Sequence, residues 1–144
     1  MKTKRIPLLM GIVLLVALAF VGVASACTEG CTPGYWKNNY PGAWPVPNNP
    51  SGVNLNGDSQ PDTYLDALNY KGGTGVEGAE RILLRAFVAA YLNSMALPGY
   101  EPTPVVNEIF TSALDSGDRQ TMLDAAAQLD AWNNVGCPLR AVKK

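Results

Sequence analysis

The chain has 144 residues, of which 47% are hydrophobic, so its length and composition suit one packed domain. Its 11 lysines and arginines nearly balance its 12 aspartates and glutamates, which excludes a protein that binds nucleic acid through a basic face. It contains no histidine, which excludes His-ligated zinc and every Ser-His or Cys-His nucleophile.

The first 26 residues have the pattern of a secretory signal peptide. Three basic residues lie among the first five, an uncharged apolar run follows from residue 6, and small residues occupy positions 24–26. This order of charged, apolar and small residues is the one that signal peptidase processes. We therefore predict an exported protein, either secreted or held at the cell surface. Because the apolar run is long enough to span a bilayer, an uncleaved anchor is the alternative.

Three cysteines lie beyond this leader, namely Cys27, Cys31 and Cys137. Exported chains normally pair their thiols, so one of the three needs another explanation. Cys27 directly follows the predicted cleavage site, where a lipoprotein carries its lipidated cysteine, and a free or intermolecularly bonded thiol is the alternative. We predict a disulfide between Cys31 and Cys137. In the chain-entropy model, such a bond stabilises the folded protein by about 4–5 kcal/mol. A local pair of Cys27 with Cys31 competes with it.

Residues 27–62 form a predicted N-terminal arm that is rich in proline, glycine and asparagine. Its prolines exclude a long helix, so we expect an irregular segment that packs on the rest of the domain. Four aromatic residues in the arm are candidate ligand-binding residues: Tyr35, Trp36, Tyr40 and Trp44. They could present a platform to a polysaccharide or another cell-envelope component, or they could cover the hydrophobic core as a lid. We favour the lid, and we expect Trp44 to be the most exposed ring.

Residues 63–144 are predicted to form an all-α bundle of about four helices, since no alternating strand pattern is present. The helical spacing of apolar residues and the positions of capping residues predict helices at about 63–70, 74–95, 103–116 and 118–133. Thr74 and Glu77 match a capping box, and Thr103 and Asp118 are predicted caps. The stretch from Ala86 to Leu92 is apolar on nearly every face, which predicts a central buried helix.

The segment CTPGYWKN at Cys31–Asn38 resembles the signature of a family of exported bacterial and archaeal proteins. Further segments match that family at 43–44 (AW), 65–70 (LDALNY), 75–93 and 129–139 (LDAWNNVGCPL). The resemblance implies export, a shared fold, and a place for Cys31 and Cys137 in one structural unit. Asn39 stands where the family usually has histidine, so no role of that histidine transfers. Because no activity is established for the family, the resemblance implies nothing about chemistry.

Oxygen-bearing side chains recur at every second position from residue 54 to residue 62. These candidate calcium ligands are Asn54, Asn56, Asp58, Gln60 and Asp62. Calcium takes six to eight oxygen ligands, and this segment lacks the glycine and the glutamate of an EF-hand loop. A solvated turn is the favoured alternative, so calcium is a weak candidate and no other cofactor is predicted.

Glu77, Glu80, Arg81 and Arg85 lie at spacings that place them on one helical surface. We interpret them as an ion-paired stripe, and carboxylate-based hydrolysis is the alternative. With no catalytic residues predicted, the sequence favours an exported, non-catalytic module that is structural or ligand-binding. A small exported hydrolase and a self-assembling surface protein remain alternatives.

Overall fold

The computed structural model describes residues 27–55, 57 and 60–139. The predicted signal peptide at residues 1–26 therefore lies outside the described residues, as do Asn56 and Asp58 of the predicted calcium site.

The protein is all-α, as the sequence predicts. Its five described helices are α1 (Pro33–Asn38), α2 (Tyr64–Asn69), α3 (Gly75–Ala96), α4 (Thr103–Asp115) and α5 (Arg119–Asn133). In the described ranges the only β-type pairings are isolated bridges, one between Gly30 and Gly136 and one between Pro50 and Thr63. None of the described helices has the length and apolarity needed to cross a membrane.

Helix α3 is the centre of the bundle, and α1, α2, α4 and α5 each pack against it. Within the stretch from Ala86 to Leu92 every side chain except Tyr91 is buried. The prediction of a central buried helix is therefore confirmed. Phe87 stacks on Phe110 of α4, with ring centroids 4.0 Å apart. This apolar stretch of α3 is therefore covered by the protein's own helices.

The helix caps agree only in part with the predictions. Asp118 caps α5 as expected, and its carboxylate accepts from the Thr121 amide at 2.8 Å. Thr74 precedes α3 but its side chain makes no capping hydrogen bond, because Gly75 follows it with a φ of +70°, outside regular helical geometry. Thr103 lies inside α4 and not at its cap, and its hydroxyl instead pairs with that of Ser94 at 2.9 Å.

The N-terminal arm contains a helix that the sequence analysis missed. Thr32 caps α1 by accepting from the Tyr35 amide at 3.1 Å, and Pro33 occupies the first turn, where its missing N–H costs nothing. Trp36 on this helix is fully buried. The arm is thus not irregular throughout, and its central tryptophan supports the interpretation of the arm as a lid.

A disulfide and a buried polar network hold the arm on the bundle. Cys31 is bonded to Cys137 across 106 residues, which confirms the predicted pairing and rules out the Cys27–Cys31 alternative in this structure. Next to it, the Gly30 amide donates to the Gly136 carbonyl at 2.9 Å. The fully buried side chain of Asn93 then joins Cys31 and Asn133 by hydrogen bonds of 2.8–3.0 Å. The two ends of the described domain are therefore joined at one place.

Candidate functional site

A cleft of about 340 Å³ opens between α1, α2, α3 and the C-terminal end of α5. Ligand sites in proteins span roughly 300–1,000 Å³, so this cleft suits a small molecule or one unit of a polymer. Most of its lining is polar or charged. The residues that line it are Pro33, Gly34, Lys37, Leu68, Arg85, Asp130 and Asn134.

Helix α1 supplies the first wall of the cleft. Lys37 lies four residues after Pro33 and three after Gly34, so it shares a face of the helix with them while Trp36 is buried in the core. The Lys37 side chain is exposed, and its ammonium has no hydrogen-bond or ion-pair partner within the described residues. This wall therefore offers an uncommitted cation.

The last turn of α5 supplies the second wall. Asp130 and Asn134 are four residues apart and share a face, while Leu129 and Asn133 are buried. The side-chain amide of Asn134 donates to the Asp130 carbonyl at 2.6 Å. No described donor reaches the side-chain oxygen of Asn134. This wall therefore offers a carboxylate and an amide oxygen, both hydrogen-bond acceptors.

Arg85 of α3 contributes a second cation to the cleft. Its Nη1 donates to the Tyr70 carbonyl at 3.1 Å, which anchors the guanidinium at the end of α2. A guanidinium has five N–H donors, so this single bond leaves most of them uncommitted. Arg85 is positioned by the fold and still has donors to offer a ligand.

The charges of the cleft are not paired with one another. In the described ranges the one ion pair joins Arg81 to Glu77, so Arg85 and Asp130 share the cleft without forming one. Burial raises the pKa of the Asp130 carboxyl, and the nearby Arg85 and a hydrogen bond with Asn133 offset this only in part. Two cations and one carboxylate thus line one small cleft, and within the described residues they form no ion pair with one another.

None of the four predicted aromatic binding residues lines the cleft. Trp36 is fully buried and cannot present a surface, and Tyr35 packs on its edge with ring centroids 5.2 Å apart. Tyr40 is the exposed ring at 38%, whereas Trp44 is half-buried because its Nε1 donates to the Trp36 carbonyl at 2.8 Å. The expectation that Trp44 would be the most exposed ring is therefore wrong. The four rings do not form one platform.

The structure describes three of the candidate calcium ligands, namely Asn54, Gln60 and Asp62. Asn54 accepts from the Gly57 amide at 3.3 Å, and Gln60 is exposed. Asp62 is 1% exposed, and its Oδ2 accepts from the Leu55 amide and the Tyr70 hydroxyl. The described residues contain no cluster of three His, Cys, Asp or Glu side chains suited to a metal. Asp62 thus links the arm to the end of α2 by hydrogen bonds. Calcium binding stays a prediction.

Cys27 and the acidic residues of α3 lie apart from the cleft. Cys27 is a free thiol, half-buried, and burial raises its pKa. Glu77 is exposed and forms the predicted ion pair with Arg81, which confirms this part of the ion-paired stripe. Lipidation of Cys27 stays a prediction.

Sequence reasoning missed the four polar residues of the cleft, since Lys37, Asp130 and Asn134 were not singled out and Arg85 was assigned to the stripe. These residues are far apart in the sequence and meet only through the packing of the helices. A comparison of the chain with protein-family models, with curated proteins and with solved structures found no match.

Proposed function

We propose that the protein is an exported, non-catalytic ligand-binding module. Its cleft takes a small polar molecule or one unit of a cell-envelope polymer. The observation that carries this proposal is the unpaired set of Lys37, Arg85 and Asp130 in one small cleft. Charged side chains that form no ion pair with one another are expected where a ligand completes their interactions.

Export is supported by the disulfide together with the leader-like sequence. Disulfides form and persist in oxidising compartments and are rare in the reducing cytosol. The Cys31–Cys137 bond therefore favours an oxidising environment. The pattern of residues 1–26 adds the route by which the chain would reach it.

The cleft supports binding better than hydrolysis or self-assembly. Hydrolysis of the two-carboxylate type uses a pair of facing carboxyl groups, and the cleft lining supplies Asp130 alone. Of the acids considered for hydrolysis, Glu77 is paired with Arg81 at the surface, and Glu80 does not line the cleft. Self-assembly was suggested by the apolar stretch from Ala86 to Leu92, and α3 has that stretch covered within the bundle.

The proposal is tested by following backbone amide signals of the oxidised, exported protein by NMR. A panel of neutral sugars, sugar acids, amino acids and inorganic anions is added at millimolar concentration. We expect at least one compound to shift the amides of Gly34, Lys37 and Asn134 in a saturable way. A control protein with both Lys37→Gln and Asp130→Asn should lose these shifts. The proposal is overturned if no compound shifts these amides, or if all shifts map elsewhere.

A further inference from the structure

The geometry points to a hydroxylated carboxylate as the ligand of the cleft, that is, a sugar acid such as a uronic acid. This inference rests on the proposed function, and it names the chemistry of the ligand. The acid is either free or a unit of an acidic polysaccharide, since both sources present the same groups. The argument depends on which walls of the cleft donate hydrogen bonds and which accept them.

Helices α1 and α3 supply donors. The Lys37 ammonium can donate three hydrogen bonds, and the Arg85 guanidinium retains the N–H groups that the Tyr70 carbonyl does not use. A guanidinium matches the two oxygens of a carboxylate, and such charged hydrogen bonds are stronger than neutral ones. An anionic oxygen group of the ligand is therefore expected between these two side chains.

Helix α5 supplies acceptors. An ionised Asp130 can only accept hydrogen bonds, and Asn134 uses one of its two amide N–H groups on the Asp130 carbonyl and keeps its side-chain oxygen as a further acceptor. The ligand must therefore donate hydrogen bonds toward α5 while it presents an anion toward α1 and α3. A simple carboxylate such as acetate meets only the second demand, and a neutral sugar meets only the first.

The charge and the volume of the cleft narrow the class of ligand further. Two cations and one carboxylate leave the cleft with one excess positive charge, which a ligand of charge −1 neutralises. A zwitterionic amino acid would leave that excess in place. The volume of about 340 Å³ lies at the small end of ligand sites, which suits one sugar ring or two. A uronic acid meets the demands of charge, hydrogen bonding and size together.

The inference is tested by calorimetric titration of the oxidised protein with glucuronate and galacturonate. The comparison ligands are glucose, acetate and glycine, which is a neutral zwitterion. We expect the sugar acids to bind about tenfold more tightly than any comparison ligand, since each of these lacks one matched group. Added salt should weaken the binding of the sugar acids and leave that of glucose unchanged.

Two variants with matched controls assign the contacts. Lys37→Gln should weaken glucuronate binding about tenfold without changing glucose binding, whereas the control Arg119→Gln, at the opposite end of α5, should have no effect. Asp130→Ala should reduce the ratio of glucuronate affinity to acetate affinity, because only glucuronate has hydroxyl groups to donate. The control Asp124→Ala removes an exposed carboxylate of α5 outside the cleft and should leave that ratio unchanged.

The outcomes separate this inference from the proposed function. If another compound of the panel binds in the cleft as tightly as the sugar acids, the inference fails and the binding module stands. If no compound shifts the cleft amides, both fail. If the sugar acids bind best, comparison of galacturonate with oligogalacturonates shows whether one unit or the polymer is preferred, and either result supports the inference.

Discussion

At the scale of single residues, the Asn93 side chain forms four buried hydrogen bonds. Its oxygen accepts from the Cys31 amide and from Trp36 Nε1, each at 3.0 Å. Its NH₂ group donates to the Cys31 carbonyl at 2.9 Å and to Asn133 at 2.8 Å. One amide thus satisfies polar groups of the arm and of α5 inside the core, where an unsatisfied group is costly.

Replacement of Asn93 should therefore be strongly destabilising. We expect Asn93→Ala to lower the free energy of unfolding by about 3–5 kcal/mol, because it leaves several buried donors and acceptors without partners. Urea unfolding followed by tryptophan fluorescence measures the effect. Asn107→Ala, at an exposed position of α4, is the control and should change stability by less than about 0.5 kcal/mol. A loss below about 1 kcal/mol for Asn93→Ala would contradict this account.

The raised pKa of Asp130 gives a prediction about pH. A carboxyl whose pKa is higher in the folded than in the unfolded protein binds its proton more readily when folded, so stability falls as the pH rises through its titration range. Asp130→Asn removes this loss. We expect the variant to melt a few degrees above the wild type at pH 7 and to match it below about pH 3, where both states are protonated.

Thermal melting across this pH range measures the Asp130 effect. Asp124→Asn serves as the control, since Asp124 is exposed on another face of α5. A constant difference between Asp130→Asn and the wild type at all pH values would show that burial does not raise this pKa.

At the scale of helices, the places where sequence reasoning failed have physical causes. Six-residue helices such as α1 have too little intrinsic stability to be inferred from sequence, and this one exists because Trp36 is anchored in the core. The Thr74 capping box matched in sequence, but the left-handed Gly75 next to it prevents the expected geometry. The long helices α3, α4 and α5 were predictable because each has an extended apolar pattern.

The cap of α5 allows a test at this scale. The Asp118 carboxylate accepts from both the amide and the hydroxyl of Thr121, which lowers its pKa. Stability from a lowered carboxyl pKa is present above the unfolded value, near 4, and is lost as the pH falls through the folded value. Asp118→Ala should therefore lower the melting temperature at pH 7, and the difference should shrink in acid.

The conservative variant separates capping from charge in this experiment. Asparagine is also a good N-cap, so Asp118→Asn should keep most of the melting temperature at pH 7 while it loses the dependence on acid. Circular dichroism melts of the three proteins decide the matter. If Asp118→Ala melts at the wild-type temperature at pH 7, the cap contributes nothing to α5.

At the scale of the whole molecule, the fold class and the disulfide were predictable and the cleft was not. The pairing of Cys31 with Cys137 could be inferred because an exported chain tends to close its thiols in pairs. The cleft depends on Lys37, Arg85 and Asp130, which are far apart in sequence and meet only through helix packing. No local pattern carries that information.

Loss of the disulfide should destabilise the whole domain. Its loop of 106 residues predicts a loss of about 4–5 kcal/mol in the chain-entropy model. Urea unfolding of the double variant, which carries both Cys27→Ser and Cys137→Ser, is compared with that of the single variant Cys27→Ser. Because both proteins lack Cys27, no new disulfide with Cys27 can form. Reduction of the Cys27→Ser protein should reproduce the double variant. Equal stability with and without the bond would refute a structural role for it.

The joining of Gly30 and Cys31 to Gly136 and Cys137 also determines how the domain responds to mechanical load. If the chain is tethered on one side of this point and pulled from the other, tension enters at the first cysteine and leaves at the second through a covalent bond. The helices between them then bear no force, so the cleft would keep its shape on a stretched protein for as long as the sulfur bridge remains oxidised.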